Sequence, residues 1–295
     1  MGELHSAADD VPDLFDAESE LALMEGRLRA EGKSDATVSK YMRDVRYYLR
    51  YVAETTGSAS NCLDWDVMID YRKHLASKYE LSSSNSMIAG VNCFLRLSGR
   101  GDHKLQSFKL QREAFRSDEL ELTREEYSRL LEAARSEGNE RLYLIMQTLG
   151  STGIRISELP FITRESLELR KAKVSLKGKT RVVILPETLC RRLAQYSEER
   201  GIASGSVFVT RTGKPVDRSN VLHDMKRLSE SADVGAEKIF PHNLRHLFAV
   251  TFYRSEKDVC RLADILGHSN INTTRIYTAE GESTVAAAIE RLGLF

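Results

Sequence analysis

Residues 266–278 read LGHSNINTTRIYT. Just upstream, Leu262, Ile265 and Leu266 have the spacing of an apolar face on a short helix, and Gly267 stands where helices end in left-handed backbone. His268 therefore has its place fixed by the backbone. Asn270 or Asn272 is suited to cap a last short helix, which would carry Tyr277. On its own such a tyrosine is a core residue. Its alternative use, as a nucleophile, depends on what the rest of the chain places around it.

Three other stretches carry groups with chemical potential. FPHNLRHLFAVTF at 240–252 has Pro241 where a helix would start, a position at which the missing N–H costs nothing. At helical periodicity Leu244, Leu247, Phe248 and Thr251 share one face, and His242, Arg245 and Ala249 another. A histidine and an arginine three apart at a helix start suit a phosphate or an oxyanion, while the plainer reading is a surface pair. A metal reading of His242 and His246 is weaker, because no glutamate joins them in HExxH form. In STGIRISEL at 151–159, Arg155 opens a predicted helix and Glu158, one turn later, is placed to brace its guanidinium. KVSL at 173–176 and RVVIL at 181–185 read as strands joined by a KGKT hairpin turn, with Lys177 at the end of the first strand.

Around these stretches the chain is mostly helical. Four helical patterns, at 14–31, 35–55, 64–79 and 82–98, follow an acidic start, with no strand pattern between them. Val38, Tyr41, Val45, Tyr48, Leu49 and Val52 form one stripe in the second pattern. Ser34 or Asp35, Asp64 and the SSSN run before the fourth pattern are candidate caps. Residues 99–120 are polar and rich in Lys and Arg, which fits an interdomain linker that is either a solvated loop or a basic strap on a polyanion. LTREEY at 122–127 has the form of a capping box, with Thr123 answered by Glu126. A helix to about residue 137 and an apolar helix at 140–150 follow.

A chain of 295 residues with 41% hydrophobic and 29% charged residues has the composition of a soluble globular protein of about two domains. No apolar run approaches a membrane span, and the start lacks the apolar core of a signal peptide. Cys62, Cys93, Cys190 and Cys260 are scattered without a CxxC pair, so neither a zinc ribbon nor a disulfide framework is indicated, and a reduced, cytoplasmic setting is expected. The net charge of zero conceals an uneven distribution. Residues 1–25 hold eight acidic side chains and no Lys or Arg, whereas residues 26–115 hold 15 basic against 10 acidic. A basic body behind an acidic head permits contact with a phosphate backbone without requiring it.

The order of these groups is more specific than any one of them. An arginine in TGIRISEL, a lysine on a hairpin, HNLRHLFA, LGHSNINTT and a tyrosine nine residues after the last histidine together resemble the tyrosine recombinase (phage integrase) family over nearly the whole chain. The compact size looks most like the Xer type and the simple integrases. The resemblance implies a mainly α fold: a four-helix, SAM-like core-binding domain at 14–99 and an α-rich catalytic domain with a small antiparallel sheet at 121–280. A disordered acidic head (1–13), a linker (100–120) and a C-terminal docking tail (281–295) complete the expected organisation.

It also implies an activity. Such enzymes cleave and rejoin DNA through a 3′-phosphotyrosyl link and exchange strands by way of a Holliday junction, for integration, excision, inversion or resolution. Tyr277 would be the nucleophile, Arg155 and Arg245 the clamp on the non-bridging oxygens, and Lys177 the acid that protonates the leaving 5′-oxygen. His242 would assist proton transfer at the tyrosine, and His268 would hydrogen-bond the phosphate. No cofactor and no metal would be needed. The partners would be double-stranded DNA with paired inverted-repeat core sites and three further copies of the chain, linked by exchange of C-terminal tails. Two departures from the family pattern stand out: a short KGKTR hairpin, which leaves Lys179 as a rival to Lys177, and Pro160, which would bend or end its helix early. A DNA-binding regulator with decayed chemistry and a type IB-like topoisomerase are the alternative readings.

Overall fold

The computed structural model describes residues 16–110, 120–176, 178–268, 270–277 and 289–293. The expected acidic head lies outside these residues, as does most of the C-terminal tail. The chain forms two compact units, Met1–Arg112 and Glu113–Phe295.

The first unit contains α1 (Ala17–Ala30), α2 (Asp35–Thr56), α3 (Trp65–Lys78) and α4 (Leu81–Leu97). Side chains cap three of them: Asp16 accepts from the Glu18 N–H, Ser34 from Thr37, and Asp64 from Asp66 and Val67. Gly57, in left-handed backbone, ends α2. The apolar stripe of α2 packs inward through Val38, Val45, Tyr48, Leu49 and Val52, against Met24, Leu28, Met68, Leu75, Ile88 and Phe94. The SSSN run is not a cap. It forms the first turns of α4, and buried Ser84 donates to the carbonyls of Leu75 and Glu80, joining α4 to the end of α3.

Part of the stretch expected as linker is fastened to this unit. Asn85 and Asn92, two turns apart on α4, each make a reciprocal pair with the backbone of the departing chain. Asn92 pairs with the N–H and C=O of Leu105, at 2.9 Å each, and Asn85 with those of Phe108, at 2.6 and 2.9 Å. Arg72 donates to the Gln106 carbonyl and lies over the Phe108 ring.

The second unit opens with the predicted capping box, in which the Thr123 hydroxyl accepts from the Glu126 N–H and the Glu126 carboxylate from the Thr123 N–H. Helices α5 (Arg124–Ser136) and α6 (Glu140–Thr152) follow, and Gly153 closes α6 in left-handed backbone. RISEL is not an α-helix but part of a 3-10 stretch, Ile156–Phe161. Pro160 lacks the N–H that an α-helix would use there, and Glu158 folds back to bond the Arg155 N–H. After α7 (Arg164–Leu169), β1 (Lys171–Leu176) and β2 (Lys179–Ile184) pair antiparallel, with Leu176 opposite Lys179. Lys179 and Thr180 therefore belong to β2 rather than to the turn. Ala172 and Val174 of β1 and Val183 of β2 face the core, while Val182 and Ile184 are exposed.

Helices α8 (Glu187–Glu199), α9 (Arg218–Arg227), α10 (Ser229–Ala232), α11 (Pro241–Glu256) and α12 (Val259–Leu266) complete the described architecture. A core from Leu122 to Leu244 runs through α5, α6 and α8. A small separate cluster of Ala249, Leu262, Leu266 and Tyr277 joins α11 and α12 to the last 3-10 turn, Arg275–Tyr277. The fold is thus mainly α with one small antiparallel sheet, as expected.

Candidate active site

The site grows from the N-terminal half of α11. Pro241 occupies its first turn, as its fixed φ allows. Arg245, one turn on, is only 1% exposed. This overturns the plainer reading of a surface pair with His242. The reason is that α11 is covered on more than one side: α6 packs against it, and α12 and the Arg275–Tyr277 turn bring further groups onto it.

The buried guanidinium is held by neutral acceptors. Nη1 donates to the Gly153 carbonyl at 2.5 Å, Nη2 to the Leu266 carbonyl at 2.9 Å, and Nη2 also lies 2.9 Å from Nε2 of His268. Both carbonyls sit at helix C-termini, where orphan acceptors and the helix dipole favour a cation. Nε has no partner, and among the described residues no carboxylate pairs with this arginine. Burial, and then the neighbouring Arg155 charge, lower its pKa to about 10. A desolvated cation without a counterion costs on the order of several kcal/mol, and an anion entering the site would offset that cost.

His268 follows Gly267, the left-handed end of α12. Its Nδ1 lies 2.8 Å from the Thr274 hydroxyl. Arginine only donates, so Nε2 is the bare nitrogen and Nδ1 carries the proton toward Thr274. Desolvation, then Arg245, Arg155 and Arg181, push the His268 pKa down to about 4. His242 opens to solvent, yet the protein crowding it, followed by the Arg245 and Arg155 charges, lowers its pKa as well. Both imidazoles are neutral at pH 7.

Arg155 precedes the 3-10 stretch and is the more exposed of the two arginines. Glu158 holds it through the backbone N–H at 2.8 Å and Nη1 at 3.2 Å. Burial raises the Glu158 pKa, but hydrogen bonds from Arg181 and the Arg155 N–H, with both charges, outweigh that and leave it lowered. Tyr277 is buried, stacked on His268 at 6.1 Å between ring centroids and meeting His246 edge-on at 5.0 Å. The structure therefore brings Arg155, His242, Arg245, His268 and Tyr277 to one place. Lys177 lies outside the described residues.

The sequence profile of the phage integrase family matches residues 121–283, which contain all of these side chains. The tyrosine recombinase XerA of Thermococcus kodakarensis is 30% identical over 261 residues, covering 85% of this chain and 87% of its own. The chain belongs to the phage integrase family. As a tyrosine recombinase it also has neighbours in three dimensions. A lambda integrase dimer bound to a COC′ core site superposes with a TM-score of 0.70 at 17% identity, over 88% of this chain and 94% of that one. A lambda integrase tetramer bound to a Holliday junction gives 0.69 at 17% identity, over 88% and 76%.

Two residues of the recombinase site were not singled out from the sequence. Thr274 partners Nδ1 of His268 at 2.8 Å, and a threonine in an Asn- and Thr-rich turn gives no sign of that. Arg181 donates to Glu158 at 2.6 Å and to the Ile265 carbonyl. Here the sequence held a signal. Arg181 shares strand parity with core-facing Val183, so alternation alone directs it inward.

Proposed function

We propose that this chain is a site-specific tyrosine recombinase that cuts and rejoins double-stranded DNA through a covalent bond to Tyr277. The observation that carries this reading is the Arg245 guanidinium, buried without a carboxylate between two helix C-termini and beside a histidine on which the tyrosine is stacked. Such a site is built for an anion that arrives later.

The scissile phosphate enters with its non-bridging oxygens toward Arg245 and Arg155, whose planar forks match a phosphate undergoing substitution. Phosphate oxygens take over from the Gly153 and Leu266 carbonyls as acceptors. His242 is neutral and accepts the phenolic proton as the Tyr277 oxygen attacks phosphorus. The bond from phosphorus to the 5′-oxygen breaks, Lys177 protonates that oxygen, and a 3′-phosphotyrosyl link remains. The Thr274 hydroxyl both donates and accepts, so it supports either tautomer of His268. Once phosphate has drawn Arg245 away, His268 carries its proton on Nε2 and donates it to the phosphate. Attack by a 5′-hydroxyl from a second duplex reverses the chemistry and exchanges the strand, conserving the bond energy.

Paired inverted-repeat core sites, a homotetramer on two duplexes and exchange of the tail at 281–295 complete the reading. The lambda integrase tetramer on a Holliday junction, sharing this fold, supports a four-subunit assembly. Within the tail only Ile289–Gly293 is described, and Ile289 and Leu292 are exposed there.

The test is covalent capture. A duplex library with a randomised core and a nick just beyond each candidate cleavage position lets the short fragment that carries the freed 5′-hydroxyl diffuse away and traps the enzyme on its site. Denaturing electrophoresis should show a DNA–protein adduct with wild type and none with Tyr277→Phe. Absence of any adduct with wild type across the library would sink the reading. Relaxation of supercoiled plasmid lacking the recovered site would instead favour a topoisomerase.

A further inference from the structure

Arg181 lies on β2, across from Val174 in the hairpin that carries position 177. Its side chain, 14% exposed, reaches three places. Nη2 and Nε donate to the two carboxylate oxygens of Glu158, at 2.6 and 3.4 Å. Nη1 donates to the carbonyl of Ile265, in the last turn of α12. The aliphatic stem passes directly over Gly267, where an added Cβ would collide with the Arg181 Cδ. Glu158 in turn holds Arg155 by backbone and side chain. Gly267 precedes His268.

One guanidinium thus ties together the hairpin, the turn bearing Arg155 and the helix end bearing His268. Each contact is directional. The two donors toward Glu158 form a fork on a carboxylate, which fixes angle as well as distance. The third donor faces the other way and pins α12. A lysine has the charge but not this geometry, because one ammonium cannot serve both ends. The absent Cβ at Gly267 is the complement of the same contact: left-handed backbone and an arginine stem both require glycine there.

We infer that Arg181 is a positioning residue that sets the separation of Arg155 and His268, acting through Glu158 and the Ile265 carbonyl. Its described contacts are with Glu158, Ile265 and Gly267, not with Tyr277. The inference rests on the recombinase reading for its effect on rate, and on geometry alone for its effect on His268. Displacing a reacting group by about 1 Å costs on the order of 100-fold in rate, so loss of the brace should act on the chemical step while leaving DNA affinity in place.

Arg181→Gln and Arg181→Lys are compared with wild type in the full chain. Three readouts are taken: the single-turnover rate of adduct formation on the nicked duplex recovered by covalent capture, the affinity for that duplex, and the NMR titration of His268. His268 is faced by Arg245 and His242 from α11, Arg155 from the position before the 3-10 stretch, Arg181 from β2, and Tyr277. Arg181→Gln should lower the rate about 100-fold and leave affinity within about threefold. Arg181→Lys should recover less than a tenth of the lost rate, since charge is not what is missing. The His268 midpoint should move up from about 4 in Arg181→Gln, where a nearby positive charge is lost and Glu158 is freed. A rate within threefold of wild type, a loss matched by lost affinity, or full rescue by lysine would overturn the inference. If wild type forms no adduct at all, it is the recombinase reading that fails. The positioning role is then judged by the titration, and an unmoved His268 midpoint in Arg181→Gln overturns it.

Discussion

Nη2 of Arg245 and Nε2 of His268 lie 2.9 Å apart, and the chemistry of the two groups permits one proton arrangement. The arginine donates, the imidazole accepts, and His268 is neutral with its proton on Nδ1. Protonating it would aim an N–H at an N–H and add a charge beside Arg245, Arg155 and Arg181. The pKa of about 4 follows from these facts, with desolvation as the leading cause.

A pH dependence of stability follows with a definite sign. Unfolded, His268 has the ordinary value of 6.5; folded, it is held at about 4. Between these values the unfolded chain binds more protons, so stability is fully present above about 6.5 and falls as pH drops toward 4. His242, also depressed, contributes with the same sign. Urea midpoints followed by circular dichroism from pH 7.5 to 4.5 should decline in wild type and decline less in His268→Gln. Equal slopes for the two proteins would contradict the assignment. Circular dichroism is the appropriate probe because the single tryptophan, Trp65, lies in the other unit.

Arg245→Lys should separate binding from chemistry. The ammonium keeps the charge but loses the planar fork, and its shorter reach cannot serve both the Gly153 and Leu266 sides. Loss of one positioned donor to a developing charge typically costs about 100- to 1,000-fold in rate. Single-turnover cleavage should fall by that order on the captured site, with DNA affinity changed only a few-fold. A rate near wild type would show that charge alone suffices at this position.

Gly153→Ala tests the packing that presents Arg245. Gly153 has φ of +63°, and an added Cβ would run into the Phe248 ring and approach Leu266 to 3.0 Å. The left-handed conformation costs roughly 1–2 kcal/mol for a residue with a Cβ, and overpacking adds about 1–3 kcal/mol. The variant should therefore lose at least about 2 kcal/mol in denaturant titration. The Gly153 carbonyl would also shift, so cleavage should fall even under conditions where the variant is folded. Wild-type stability would mean that α11 yields easily, against the packing described.

What the sequence made legible was local and periodic. The Thr123 capping box, the Pro241 start, the Gly267 stop and the stripe of α2 depend on neighbours within a few residues, and each formed as read. Other features did not. RISEL kept its spacing but not its helix, because Pro160 and the backward bond of Glu158 favour a tighter turn. The plainer reading leaves Arg245 at the surface beside His242, yet that side of α11 is covered by segments far along the chain, and periodicity knows nothing of what covers a helix. Arg181 shares the parity of core-facing Val183, but alternation gives a side chain's direction and not the partners it meets. The order Arg155, Lys177, His242, Arg245, His268, Tyr277 was visible; the brace that holds the helix ends together was not, since it joins residues 158, 181 and 265 across three elements.

The Asn85 and Asn92 pairs make the start of the connection between the units part of the first unit, and this has a measurable consequence. Each asparagine contributes two hydrogen bonds to the strand that passes it. A net value of about 0.5–1.5 kcal/mol per bond makes one asparagine worth about 1–3 kcal/mol to the closed state of residues 105–108. Every 1.4 kcal/mol is about tenfold in a local opening equilibrium, and proteolysis under native conditions reports that equilibrium. Trypsin cleavage after Lys104 and Lys109 should therefore speed up about tenfold or more in Asn92→Ala, and further in the double variant with Asn85→Ala. Helices α1 to α4 keep most of their core, so the thermal melt of the first unit should change little. Freeing these residues also lengthens the tether between the two units. On the recombinase reading, a longer tether lowers the effective concentration of one unit once the other has bound, and the affinity for the full site should drop modestly. Cleavage at Lys104 and Lys109 as slow in the double variant as in wild type would show that the strand is held by Leu105 burial and the Arg72–Phe108 contact instead.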